Sequence, residues 1–534
     1  MKFKYSLATA VTLALLQGCG GGGGGGGDSS SPTPSTSSAN GPTWKVYDFS
    51  QPSKTFINQC ETPRVGLDPY DNYAAYPDKL GSALHEKLFL RAFTNETYLW
   101  YDEVPDNNPA NYKTVTDYFN TLVTSATTAT GKPKDRFHFT VPYEDDMKSS
   151  QSGLVAGFGF NWAFLRGVQP RDVRISYTEE ASPADRSGIA RGDKLLKINN
   201  IDVVNTGSQS DIDFINKTLF NPDINQDYTF TFESVGGLEK TVTLTASDVM
   251  TSPVKNAKVI TQNGMRIGYL QYNSFEPSAQ APLIEAFSTL SAENVDEIVV
   301  DLRYNGGGLV LQSSQVGYML SGAGQNRVFS ELIHNDKVMR TIKDGDNIYR
   351  FTNLAIDWAA QKYSDQVLPT LNKKRVYVLT SGGTASSSEL LINALRGIDV
   401  EVIQIGSTTT GKPYGFSPEQ NCGTMYYTIQ FKSANEKKFG DFADGFIPTP
   451  KSQINTELGL DNRVEGCWVN DDLTKPLGDP SEGMLSAALN YMETGTCPPV
   501  SPSSFNAMPR NISSPELSDL RSPLRTEAIH VEIN

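Results

Sequence analysis

The sequence predicts a multidomain α+β protein with a helical N-terminal domain, a β-rich middle domain and an α/β core. Three observations carry this. The chain has 534 residues, far more than one hydrophobic core organises, so several domains are expected. Hydrophobic residues make up 38% and charged residues 20%, a globular balance rather than that of a membrane bundle or a disordered chain. The apolar pattern also changes along the chain: helical spacing near residue 85, β-rich runs from about 153, then strands alternating with helices from about 255. The net charge of −14 repels phosphate backbones and excludes nucleic acid as a partner. With four histidines there is little room for a His-built metal site, and neither metal nor cofactor is expected.

The chain opens with a basic segment, Met1 to Lys4, followed by uncharged, apolar Tyr5 to Leu16. This is the anatomy of a secretory signal, too short to span a bilayer, which takes roughly 20 apolar residues. Leu16-Gln17-Gly18-Cys19 resembles a bacterial lipoprotein cleavage box, with Gln17 in place of the usual small residue. The resemblance implies a signal peptide over 1–18 and lipid on Cys19. The glycine run Gly20 to Gly27 and the Ser/Pro/Thr-rich stretch to Gly41 then read as a tether over 19–42. Gly20 after the cysteine implies the outer membrane, so the protein is expected to be lipid-anchored in a bacterial envelope.

Residues 43–150 hold helically spaced apolar positions from Leu84 to Phe93, continuing to Tyr101 and stopped by Val104-Pro105. Residues 153–250 carry strand-like runs such as Asp172 to Tyr177 and Tyr228 to Phe232. Within them, Ala181 to Asn200 resembles the PDZ pattern of Ser-Pro-Ala, a short helix ending at Gly, Gly-Asp and an apolar strand. Gly157-Phe158-Gly159-Phe160 resembles the PDZ carboxylate-binding loop, whose backbone N–H groups catch a peptide C-terminus while the peptide adds as a strand. In the core, 255–470, Ile267 to Leu270, Glu297 to Leu302, Arg375 to Leu379 and Val400 to Ile405 read as buried strands. Residues 471–534 form a Pro/Ser-rich extension with no chemistry assigned.

Three core segments carry chemistry. Leu379 to Gly397 reads as a strand, a turn of small residues and a helix. A serine at such a junction is exposed at the sheet's rim, and the helix N-terminus favours developing negative charge. Ser386-Ser387-Ser388-Glu389 also fits a capping box, and three adjacent serines leave the nucleophile open. Lys412 in Gly411-Lys412-Pro413 follows one helix and one strand later, which returns it to the same sheet edge. Burial lowers a lysine's pKa from about 10.4 towards neutrality, as a general base requires. Asp301-Leu302-Arg303-Tyr304-Asn305-Gly306-Gly307-Gly308 opens a strand into three glycines, whose backbone can approach a substrate closely and form an oxyanion hole.

Together these segments resemble the carboxy-terminal processing (tail-specific) proteases, serine peptidases with a Ser-Lys dyad and a PDZ domain ahead of the core. Asp301 to Gly308, Gly383 to Glu389 and Gly411-Lys412 carry the family's motifs in order, with Gly306, Thr384 and Ser387 as substitutions. The resemblance implies a ClpP/crotonase-like core, Ser386 as nucleophile, Lys412 as base, and an oxyanion hole of Ser387 with Gly307 or Gly308. It also implies peptide or protein substrates with accessible C-termini; the oligomeric state is left open. Phe416 stands where many members have a glutamine that orients the lysine, so Ser417, Gln420, Asn421 or a backbone carbonyl is expected to replace it. Three alternatives stand beside this: a catalytically silent PDZ lipoprotein acting as scaffold or adaptor, a polysaccharide-binding lipoprotein, and a Ser-His enzyme using His138.

Five cysteines are present. With Cys19 lipidated, four remain in an oxidising compartment, and three connectivities are possible. The favoured one joins Cys60 with Cys497 and Cys422 with Cys467.

Overall fold

The structure, a computed structural model, describes residues 42–454, 459–499 and 528–529. The signal segment, Cys19, nearly all of the tether and His530 lie outside the described residues. Among the described residues, no helix is long and apolar enough to cross a membrane.

The core is a seven-stranded sheet built from β1 (Val254–Gln262), β2 (Met265–Tyr272), β3 (Glu297–Asp301), β4 (Arg375–Thr380), β5 (Glu401–Gly406), β6 (Ile447–Thr449) and β7 (Arg463–Trp468), in the order β1-β2-β3-β4-β5-β7-β6. The β1–β2 pair is antiparallel and the rest are parallel. Parallel strands need helical crossovers, which cover both faces, and the interior strands are accordingly rich in buried apolar residues. Alternation divides their side chains. Ile298, Val300, Val376, Val378 and Val402 pack against helices α1 (Gln280–Ala292), α2 (Val310–Ser321) and α3 (Ser387–Gly397). Val299, Tyr377, Leu379, Ile403 and Ile405 face α4 (Gly483–Thr494), which contributes Met484, Leu485 and Ala488. The core therefore runs beyond residue 470, because the sheet's second face needs α4 to cover it.

The middle region forms a second sheet in the order 239–245, 227–233, 194–198, 172–178, 160–166, with 201–202 pairing to 194–198. Its core holds Phe158, Ile175, Leu195, Phe230 and Ile212, the last from the helix Gln209–Phe220. Strand Phe160–Arg166 ends the order, with 172–178 as its neighbour in that sheet. The N-terminal region combines helices with short strands. Its helix Ala83–Thr97 buries Leu88, Phe89 and Phe93 against Tyr118, Phe119 and Leu122. It ends at Thr97 rather than running on to Tyr101: Tyr98 turns into extended backbone and its buried hydroxyl donates to Asp135 at 2.8 Å.

The four described cysteines form Cys60–Cys422 and Cys467–Cys497, each with Cα atoms 5.4 Å apart. The favoured pairing of Cys60 with Cys497 and Cys422 with Cys467 is thus corrected. Strand Phe139–Pro142 pairs with Thr424–Tyr427, and Asn421 Oδ1 accepts from Asn58 N–H at 2.7 Å, which brings Cys422 to Cys60. Helix α4 folds back over the sheet and returns Cys497 to Cys467 in β7.

A buried ionic cluster joins the regions behind the glycine loop. Arg303, fully buried, donates to Asp301 (2.9 Å), Asp471 (2.6 Å) and both oxygens of Glu482 (2.8 and 2.9 Å). Arg191, from the middle region, reaches the same Asp471 at 2.5 Å. Buried charges persist only when paired and hydrogen-bonded in this way.

Candidate active site

Strand β4 ends at Thr380, and a turn of small residues leads into α3. Ser386, its N-cap, has φ 58° and ψ −117°, a strained conformation for a side-chain-bearing residue. What holds it there is Glu389, fully buried three residues on. Its Oε2 accepts from the backbone N–H of Ser386 at 3.0 Å and of Lys412 at 2.8 Å. Its Oε1 accepts from Thr409 Oγ1 at 2.5 Å and from Gly411 N–H at 2.8 Å. One carboxyl group therefore fixes the serine turn and the lysine loop to each other. Burial pushes the Glu389 carboxyl above its ordinary value, and these four hydrogen bonds oppose that shift. Thr410 adds a second tie, with its N–H to Thr384 C=O at 2.9 Å and its hydroxyl to Gly382 C=O at 2.8 Å.

The three serines separate by their hydrogen bonds. Ser387 Oγ donates to Gly308 C=O at 2.6 Å and Ser388 Oγ to Asn305 C=O at 3.1 Å, so both bolt the turn to the glycine loop. Ser386 Oγ is buried and has no hydrogen-bond partner among the described residues. Such an unsatisfied hydroxyl costs about 1–3 kcal/mol and calls for an explanation.

Lys412 is fully buried. Its Nζ lies 4.1 Å from the centre of the Phe416 ring and 5.0 Å from that of Phe137. Phe416 thus lines the lysine's surroundings with an aromatic face. The substitutes expected for it lie elsewhere: Asn421 bonds Asn58, Gln420 faces Arg64, and Ser417 gives its carbonyl to Gln430 at 2.7 Å. The hairpin of residues 419–427 turns towards the N-terminal region, which carries Gln420 and Asn421 away. Gly411, at φ 85°, passes so close to Ala443 and Gly445 that a Cβ would lie 2.3 Å from the Ala443 oxygen.

In the glycine loop, Gly307 N–H is bonded to Asn305 Oδ1 at 2.9 Å. Phe275 takes Gly307 C=O at 2.9 Å and Leu309 N–H at 2.7 Å, so Gly308 turns its own N–H and C=O to the opposite edge. Only glycine fits there: φ is 129° and a Cβ would meet Phe275 O at 2.1 Å.

Of the other singled-out residues, His138 is packed rather than poised: Nε2 lies 2.9 Å from Phe119 C=O and its ring stacks on Phe119. Its neighbours do reach the site. Phe137 faces Lys412, and Arg136 donates to the carbonyls of Thr410 (2.8 Å) and Gly411 (3.2 Å). The signal for these contacts lies in the Arg136-Phe137-His138 segment, in the two residues that precede the histidine. Gly157 to Phe160 form a loop in the middle region. Phe158 is buried against Tyr228 and Phe230, and Gly159, at φ 86°, passes against Ser182. Among the described residues, no cluster of three or more His, Cys, Asp or Glu side chains could hold a metal.

Residues 266–430 match the model of peptidase family S41, and residues 86–139 match that of the peptidase S41 N-terminal domain. A carboxyl-terminal-processing protease of Picosynechococcus sp. is 24% identical over 274 residues, covering 50% of this chain and 56% of its own. Carboxyl-terminal-processing peptidase 2, chloroplastic, of Arabidopsis thaliana is 25% identical over 272 residues, covering 50% and 47%. The chain thus spans about half the length of the curated relatives it matches. A crystal structure from Bacteroides fragilis NCTC 9343 assigned to the S41 proteases shares the fold, with TM-score 0.56 and 22% identity over 79% of this chain and 98% of that one.

Proposed function

We propose that this chain, whose residues 266–430 and 86–139 match the models of peptidase family S41 and its N-terminal domain, is a serine endopeptidase in which Ser386 and Lys412 form the catalytic dyad. The observation that carries this is Ser386 itself: a strained, buried serine whose hydroxyl has no partner among the described residues, bound through Glu389 to the loop that holds Lys412. Neutral Lys412 takes the Ser386 proton as Oγ attacks a peptide carbonyl. The tetrahedral oxyanion is held by Gly308 N–H, directed to the edge opposite Phe275, and by Ser387 N–H in the first turn of α3. Gly307 N–H is engaged by Asn305 and takes no part. Collapse to the acyl-enzyme passes the proton from Lys412 to the leaving amine. Water, deprotonated by Lys412, then cleaves the ester and restores Ser386.

The middle region is read as a PDZ domain that binds substrate C-termini. Its strand Phe160–Arg166 ends its sheet beside helix Gln209–Phe220, with Phe164 and Phe220 stacked across the gap, and Gly157 to Phe160 lead into it. A peptide adding to that strand would bring its carboxylate to the Gly157–Phe160 loop. The core is read as ClpP/crotonase-like. The N-terminal signal pattern and Cys19 support a lipid anchor in the bacterial envelope, with envelope proteins or peptides as substrates.

The test is mass spectrometry of envelope proteins incubated with the chain or with Ser386→Ala. New C-termini seen only with the intact serine are the expected result. Peptide binding without any new termini would instead make the chain an adaptor.

A further inference from the structure

The strand Ala528–Ile529 lies apart from the core sheet, against the candidate active site. It pairs in parallel with Gly308–Leu309, Gly308 opposite Ala528 and Leu309 opposite Ile529. It also comes close to Tyr414–Gly415, the short strand that follows Lys412. It therefore runs between the glycine loop and the lysine loop. The edge it occupies is the one left open when Phe275 takes the Gly307 carbonyl and the Leu309 N–H, turning Gly308's own peptide groups outward. An edge of this kind accepts an added strand through its backbone, whatever the strand's sequence.

The sequence agrees independently. After the Pro/Ser-rich stretch, Ile529-His530-Val531-Glu532-Ile533 alternates apolar and polar residues, with β-branched side chains at 529, 531 and 533. That is a strand pattern in a region assigned no chemistry. Chain length allows the placement: residues 498–527 follow Cys497, and a stretch of that length spans at most about 100 Å.

We propose that Ala528–Ile529 is a tethered occupant of the substrate edge. Its backbone lies where the scissile stretch of a peptide substrate would add, so the intact chain competes with its own substrates. This rests on the peptidase reading of Ser386. It also gives the substrate a direction, running parallel to Gly308→Leu309. A ligand tethered to its own site has an effective concentration in the millimolar range, and an incoming peptide must exceed it.

The test uses the full chain carrying Ala528→Pro and Ile529→Pro, which remove two backbone N–H groups and cannot sustain strand pairing. In a Ser386→Ala background, a fluorescent synthetic peptide of residues 522–534 is followed by polarisation. It is expected to bind the double-proline chain at least about tenfold more tightly than the chain with its own strand in place. Equal binding to both chains, or binding to neither, overturns the proposal. In the catalytically intact background, the double-proline chain is expected to show a KM for a peptide substrate about tenfold lower, with kcat unchanged. An unchanged KM overturns it. Tighter polarisation binding without cleavage of any peptide would retain the strand-addition site and overturn the peptidase reading instead.

Discussion

The turn at Ser386 and the loop at Gly157–Phe160 are both short segments at strand ends, and each is held in place by different physics. The Ser386 turn is held by buried polar groups: Glu389 with four donors, and Ser387 and Ser388 reaching the carbonyls of Gly308 and Asn305. The Gly157–Phe160 loop is held by apolar packing, with Phe158 set among Tyr228 and Phe230, and by backbone bonds from Ala184 N–H to Phe158 C=O and from Glu179 N–H to Gly159 C=O. Hydrogen-bond networks fix position to fractions of an ångström and fail when one member is altered; apolar packing tolerates small shifts. The first suits a site where a proton and a carbonyl must meet. The second suits a surface that accepts peptides of varied sequence.

Five substitutions test this contrast, the effects on activity taken from the largest to the smallest. Ser386→Ala or Lys412→Ala is expected to lower kcat by about 10⁴-fold or more while leaving the melting temperature nearly unchanged, because each removes a reacting group of the proposed dyad. A turnover assay with parallel calorimetry checks this, and normal turnover in Lys412→Ala would overturn the dyad. Glu389→Gln sets an amide N–H₂ against backbone donors. It is expected to cost about 2–3 kcal/mol of stability and to lower kcat about 10²-fold with little change in KM, as befits a positioning residue. Denaturant melts and a kcat–KM separation read both effects.

Gly159→Ala acts on the other loop, placing a Cβ 2.1 Å from the Ser182 Cβ. It is expected to raise KM several-fold, by about 1 kcal/mol of binding, for peptides with a free C-terminus, and to leave kcat alone. A kcat loss as large as that of Glu389→Gln would erase the distinction between the two loops. The last effect is read in stability rather than in activity and concerns Glu419, in the hairpin joined to the N-terminal region. Burial pushes its carboxyl from an ordinary 4.5 up to about 7. The folded chain then binds more protons than the unfolded one between those values, so this group's contribution to stability falls as pH rises from 4.5 to 7 and is level above. Glu419→Gln is expected to remove that slope, matching the parent near pH 4.5 and melting higher at pH 8. Melting curves across that range would show it.

Much of this arrangement was legible before the fold was known, for definable reasons. Strands such as Glu297–Asp301 declare themselves because parallel strands buried on both faces need unbroken apolar runs. Ser386, Lys412 and Gly308 stand in local motifs, where chemistry fixes both residue type and spacing. What stayed hidden depends on contacts far apart in sequence. Cys60 meets Cys422 across 362 residues, and no local pattern encodes that choice. Phe137 reaches Lys412 from the N-terminal region, and Asp471 and Glu482 reach Arg303 from a stretch that looked like an extension. Glu389 was legible as a helix cap, but its bonds to Thr409, Gly411 and Lys412 required the lysine loop to be in place. Phe416 looked like a missing orienting residue and is instead an aromatic wall beside the lysine.

The most direct measurement is labelling with a serine-reactive fluorophosphonate followed by peptide mapping. The account predicts an adduct on Ser386 and on neither Ser387 nor Ser388, whose hydroxyls are engaged, and loss of labelling in Lys412→Ala. An adduct on Ser387 or Ser388, or labelling that persists at full rate without Lys412, would contradict it.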